Sequence, residues 1–99
     1  MKDIQIGIPC GYNSEYYTNF LLDSVRKTIS NIDRVQVLLG QSKPDVDVKF
    51  IVDNNPDFDI EVVQAFSSDI GSLGHGKCID ALLRHMNFEY GMIVDCDVA

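Results

Sequence analysis

The sequence predicts an α/β protein: a three-layer, open, mostly parallel sheet with helices packed on it. Three observations carry that expectation. Short apolar runs of strand length recur at Ile4–Pro9, Val48–Val52, Ile60–Phe66 and Met92–Val94. Two longer segments between them repeat apolar residues at helical spacing, and strands alternating with helices favour parallel pairing. Each apolar run also ends in a polar loop, as strands do where they leave a core. The expected order is β-α-β-β-α-β.

The first strand alternates apolar and polar residues from Ile4 to Ile8 and is expected to stop at Pro9. Cys10 to Asn13 reads as a loop. Ser14 suits a helix N-cap and Glu15 the positive first turn. From there to about Ile29 there is neither Pro nor Gly, and Tyr17, Leu21, Val25 and Ile29 form an apolar stripe with Leu22 beside it. In the segment from Asn31 to Asp47, Val35, Val37 and Leu39 alternate but Leu38 breaks the pattern. That segment reads either as a short edge strand or as the tail of the helix and a loop. Val48–Val52 reads as a strand ended by Asp53-Asn54-Asn55-Pro56, and Ile60–Phe66 as the next. After a polar loop from Ser67 to Ser72, Gly74-His75-Gly76 opens a second helix with Cys78, Leu82 and Met86 on one face and Ile79 and Leu83 beside them. Phe88 to Gly91 leads into the last strand, followed by Asp95-Cys96-Asp97.

Ninety-nine residues make a single domain spanning 1–99, and an apolar fraction of 45% argues against disorder. The net charge of −7 repels nucleic-acid phosphates and anionic lipid, so neither is an expected partner. Three cysteines without metal or disulfide spacing suit reduced thiols and a cytoplasmic location. No stretch approaches the ~20 apolar residues of a membrane span, and no long apolar run follows the first charges, so no signal peptide is expected.

Four polar segments follow the expected strands: Tyr12-Asn13, Asp53-Asn54-Asn55, Ser67 to Lys77, and Asp95-Cys96-Asp97. In a parallel sheet most of them gather at one edge, where open α/β sheets bind ligands. Asp95 and Asp97 lie two apart, so a strand directs both the same way, toward one hard cation such as Mg²⁺. The alternative is a solvated acidic strand end. Asp53 either accepts a hydrogen bond from a base or ribose or serves as a turn former. Tyr12 either stacks on a nucleobase or packs on the sheet edge. Gly71 to Lys77 spells the spacing of a phosphate-binding loop, but Cys78 stands where Ser or Thr should hold Mg²⁺. A helix start with Lys77 nearby still favours an anion. His75 contacts a ligand or caps the helix.

Together these segments resemble the N-terminal, nucleotide-sugar-binding half of a GT-A-type glycosyltransferase, closest to the family 2 enzymes, with a Rossmann-like sheet. The resemblance covers nearly the whole chain, in order. It implies that Pro9 ends the first strand, that Tyr12 lies against the base, and that Asp53 hydrogen-bonds the base, typically uracil. It implies that Gly74 to Lys77, with His75, line the nucleotide pocket. It further implies Asp95 near the ribose or metal and Asp97 ligating the Mn²⁺ or Mg²⁺ that bridges the diphosphate of a UDP-sugar. The chain departs from the family at Asn54-Asn55-Pro56, where a second acidic residue and Gly-Ser are usual. It departs again early in the second helix, where Lys77 and Asp80 stand nearest to the usual Arg-Asn pair. The family's acceptor half and catalytic base follow the Asp-x-Asp, so no catalytic residue is assigned, and a donor-binding fragment or half-domain is expected. A non-enzymatic half-domain that binds nucleotide or only self-associates is the competing reading. A homodimer is expected through the edge strand at Met92–Val94. A phosphatase of the haloacid dehalogenase type is a further alternative, because Ile93 to Val98 resembles its nucleophile strand.

Overall fold

The computed structural model describes residues 2–11, 14–66 and 71–94. Four strands form one parallel sheet in the order β3-β2-β1-β4: β1 (Ile4–Cys10), β2 (Val35–Gln41), β3 (Asp59–Gln64) and β4 (Tyr90–Ile93). Helices α1 (Glu15–Thr28), α2 (Val48–Asn54) and α3 (Gly71–His85) connect them, with a 3-10 turn at Ile32–Arg34 before β2. The three-layer open sheet is as expected, but the order is β-α-β-α-β-α-β.

The difference lies in two neighbouring elements. Val35–Gln41 is neither an edge strand nor a helix tail. It is a central strand, paired on one side with β1 and on the other with β3. Leu38 breaks the alternation because both faces of β2 are covered. Val35, Val37 and Leu39 enter the core beneath α1 and α2, while Leu38 enters the one beneath α3. The run Val48–Val52, expected as a strand, is the body of α2. Asp47 Oδ1 accepts from the Phe50 backbone N–H at 3.0 Å and so caps the helix. Lys49 pairs with Asp53 one turn on. Ile51 is buried, with Val48 and Val52 packed beside it, which is helical rather than alternating spacing.

The two cores sit on opposite faces. Ile6, Ile8 and Cys10 of β1 join Leu22, Ile51 and Phe58 on one side. Val63, Cys78 and Leu82 pack with Leu38 on the other. Of the stripe expected on α1, Leu21, Val25 and Ile29 pack against the core with Leu22 fully buried beside them, but Tyr17 is 60% exposed and Thr18 is buried in the first turns instead. On α3, Cys78 and Leu82 are buried as expected, with Ala81 packed against them, and Leu83 is exposed. Ser14 occupies the N-cap position of α1, but its hydroxyl donates to the Gly11 carbonyl at 2.7 Å instead of accepting from a helix N–H.

Polar side chains tie the layers together. Gln5 is buried; its amide donates to Gln36 Oε1 at 2.8 Å, and its carbonyl accepts from the Asn87 and Phe88 N–H groups. One side chain thereby fixes the passage from α3 into β4 against the first strand. Among the described residues, no helix is long and apolar enough to cross a membrane.

Candidate functional site

A parallel sheet in the order 3-2-1-4 has a switch point between β1 and β4. The connections from β1 to β2 and β3 move one way across the sheet, and the connection from β3 returns past them to β4. Ligands of open α/β sheets bind outside the carboxyl ends of the strands at such a point. Here that edge carries Cys10-Gly11 from β1, Gln41-Ser42 from β2, Gln64 to Phe66 from β3 and Val94 after β4. Helices α1 and α3 begin at the same edge, on opposite faces of the sheet, and direct their positive ends toward it.

Pro9 lies one residue inside the end of β1, which runs on to Cys10. It does not stop the strand, because its missing N–H faces away from β2. The carbonyl of Cys10 accepts from Ser42 N–H on the β2 side, whereas that of Gly7 accepts from Val94 N–H on the β4 side. Backbone polar groups alternate sides along a strand, so Pro9 faces β4 as Gly7 does. It cannot donate the next bond of that ladder. The β1–β2 register accordingly runs to Cys10 opposite Gln41, while the last described pair between β1 and β4 is Gly7 opposite Ile93. Proline is thus accommodated in a central strand on the side where the switch point lies.

Asp53 is not at this edge. It lies in α2, exposed and paired with Lys49. Helices in such connections run opposite to the strands, so the end of α2 lies at the amino edge, just ahead of β3. Asn54 and Asn55 share that position, and Asn55 is buried there, donating to Asn19 Oδ1 at 2.6 Å and to the Ile51 carbonyl. The expected gathering of Asp53 with the other strand-end residues therefore does not occur. The reason is the assignment of Val48–Val52: because that run is a helix, the residues after it sit at the opposite edge.

The strand that ends beside β1 is β2, and its terminal residues are polar. Ser42 donates through its hydroxyl to the Cys10 carbonyl at 2.9 Å, in addition to its backbone bond to the same oxygen. Gln41 is buried and donates to the Val46 carbonyl at 3.1 Å, holding the loop that leads to α2. Glu15 Oε1 accepts from Asp47 N–H at 3.2 Å, joining the starts of α1 and α2. Sequence reading missed Gln41 and Ser42 because their strand went unassigned. The signal was the polar pair following Val35 to Gly40. Phe66, which follows β3, is an exposed aromatic at this edge.

The segment from Gly71 to Lys77 is helical throughout, so it does not form a phosphate-binding loop, and α3 begins three residues before the expected Gly74. Lys77 is exposed in the second turn, about 9 Å along the axis from the helix start at 1.5 Å per residue. His75 stands in the first turn and a half of the same helix. Cys78 is buried, and its thiol donates to the Gly40 carbonyl at 3.4 Å. Cys10 is buried beside Thr18. Tyr12, Asn13, Asp95, Cys96 and Asp97 lie outside the described residues. Among the described residues, no group of three His, Cys, Asp or Glu is placed to hold a metal ion. Comparison of the sequence with protein-family models and with curated proteins finds no match to either.

Proposed function

We propose that the chain is the donor-binding part of a metal-dependent glycosyltransferase, taking a nucleoside-diphosphate sugar, with a UDP-sugar favoured. The observation that carries this reading is the switch point between β1 and β4: Asp95-Cys96-Asp97 follows β4 in the sequence directly after Val94, the residue whose N–H bonds to β1. Carboxylates in that sequence position suit a cation and a diphosphate at the carboxyl edge. Asp95 and Asp97 offer only oxygen donors, the chemistry that Mg²⁺ and Mn²⁺ prefer, and they are the residues that would hold the ion. When bound, the ion supplies Lewis-acid stabilisation of the departing diphosphate. The positive ends of α1 and α3 favour the same anion. Tyr12, in the loop after β1, is the candidate to stack on the base. Asp53 has no part in this reading, since it stands at the other edge. The buried, reduced thiols of Cys10 and Cys78 suit a reducing, cytoplasmic setting.

Calorimetric titration of UDP and GDP, with and without Mn²⁺, tests the reading. The expected result is Mn²⁺-dependent UDP binding that is lost in Asp97→Ala and retained in Asp53→Ala. Absence of binding by any nucleoside diphosphate would overturn it. A second reading, a non-catalytic half-domain that self-associates, is favoured by one observation: the outer edge of β4 has no strand partner among the described residues.

A further inference from the structure

Opposite the buried residues Thr18 and Leu22, helix α1 presents Tyr16, Tyr17 and Phe20 to solvent, 76%, 60% and 75% exposed. Tyr16 stands edge-on to Phe50 of α2, with ring centres 5.6 Å apart, so the aromatic surface continues onto the second helix. A contiguous apolar patch of this kind marks a surface that another molecule covers. The face is formed by α1 and α2 and owes nothing to the residues that follow β4. Its exposed charges are matched within the chain, Asp23 with Lys27 and Lys49 with Asp53. A chain of net charge −7 therefore brings little net charge to another molecule here.

The second half of the helix is complementary to the first. Tyr17, Phe20, Ser24 and Lys27 are spaced three, four and three apart, the a and d spacing of a two-helix seam. Large aromatic residues fill the first half of that seam, and small or cationic ones the second. The Ser24 hydroxyl donates to the Phe20 carbonyl at 3.2 Å, and the Thr28 hydroxyl to the Ser24 carbonyl at 2.8 Å. Both hydroxyls are thus satisfied by their own helix and stay so when buried. We propose that α1 packs antiparallel on α1 of a second copy, about a two-fold axis at the level of Leu22. In that register Phe20 lies over Ser24 of the partner subunit, and Tyr16 over Thr28 of the partner subunit. Tyr17 lies against Lys27 of the partner subunit, where an ammonium meets an aromatic face. The pair that Lys27 makes with Asp23 is open to solvent and worth little, so it does not hold the ammonium back. The acidic first turn of each helix, at Glu15, comes level with the basic last turn of the other, at Arg26 and Lys27, and the two helix dipoles oppose. The strip therefore matches itself in both size and charge. This inference does not depend on the glycosyltransferase reading.

Sedimentation equilibrium over a dilution series tests it. The native chain is expected to sediment as two copies of its 11.1 kDa mass. Its thermal midpoint rises with protein concentration, as binding linkage requires. Phe20→Glu puts a charge into the seam at an exposed position; it should sediment as a monomer, with a concentration-independent midpoint and an unchanged circular dichroism spectrum. Oxidation in a Cys96→Ser background reads the register. A mixture of Phe20→Cys and Ser24→Cys chains should form a disulfide-linked dimer, and neither variant alone should, because only the mixture sets two thiols at one level. A native monomer, an open-ended aggregate, a dimer that survives Phe20→Glu, or a mixture that cross-links no better than either variant alone would each overturn the proposal.

Discussion

Arg26 concentrates more polar contacts than any neighbouring side chain on α1. Its Nε and Nη2 bond both oxygens of Asp57 at 2.6 and 2.8 Å, Nη2 also bonds Asn55 Oδ1 at 3.1 Å, and Nη1 reaches Asp23 at 3.2 Å. The guanidinium lies 5.1 Å from the centre of the Phe58 ring, a cation–π distance. One residue thereby clamps α1 to the turn between α2 and β3. A forked pair of this kind needs arginine's planar geometry, which lysine lacks. Arg26→Met keeps the aliphatic stem but should cost about 1–2 kcal/mol, the range for a charged hydrogen-bonded group discounted for partial exposure. Arg26→Lys should recover less than half of that loss. Urea unfolding of the three chains checks both.

At the scale of elements, α1, β1 and β3 are legible because their apolar residues keep a regular period; β1 is covered on both faces, but Gln5 and Gly7 occupy the face under α3, so its alternation survives. The stretch from Val35 to Val52 is not, because its pattern depends on partners that sequence does not name. A strand covered on both faces loses its alternation, and a seven-residue helix is too short for a clear helical period. The Asp47 cap and the Lys49–Asp53 spacing were the local clues to α2. The site shows the same divide: Pro9, expected to stop β1, lies inside it, and Asp53, expected at the carboxyl edge, stands at the amino edge. Helix α3 packs close against the sheet at Gly40, where an added Cβ would stand 2.6 Å from Cys78 Sγ and 3.1 Å from two atoms of Leu82. Gly40→Ala should destabilise by about 1–3 kcal/mol through overpacking. Gly7→Ala should cost less, since the atoms it would meet, Met86 Cε and Ile93 Cδ1 at 2.8 Å, are flexible ends. Denaturant midpoints of the two variants give the order.

For the whole molecule, three ion pairs among the described residues contribute to the response to acid. Asp57 is held below the ordinary carboxylate value of 3.8 chiefly by its bond to Arg26, Asp3 by Arg34 and Asp23 by Lys27. A carboxylate with a depressed folded value adds stability above its unfolded value, and that contribution vanishes as pH falls through the folded one. The urea midpoint should therefore hold near neutrality and fall as the pH drops below 3.8. Asp57→Asn should be less stable than the native chain at neutral pH, and the two should converge in acid. Salt should narrow the difference at neutral pH, because all three pairs are open to solvent.

The sequence by itself determined the α/β class, the first and third helices, the apolar runs of β1, β3 and β4, and the lack of a membrane-length apolar segment. These arise from local periodicity and composition, which each segment carries alone. Only the tertiary structure decided that Val35–Gln41 is central, that Val48–Asn54 is a helix, and that the strand order is 3-2-1-4. Order and edge are relations between distant segments, fixed by which surfaces bury one another. That order puts β4 beside β1, makes Pro9 face the switch point, and moves Asp53 to the opposite edge.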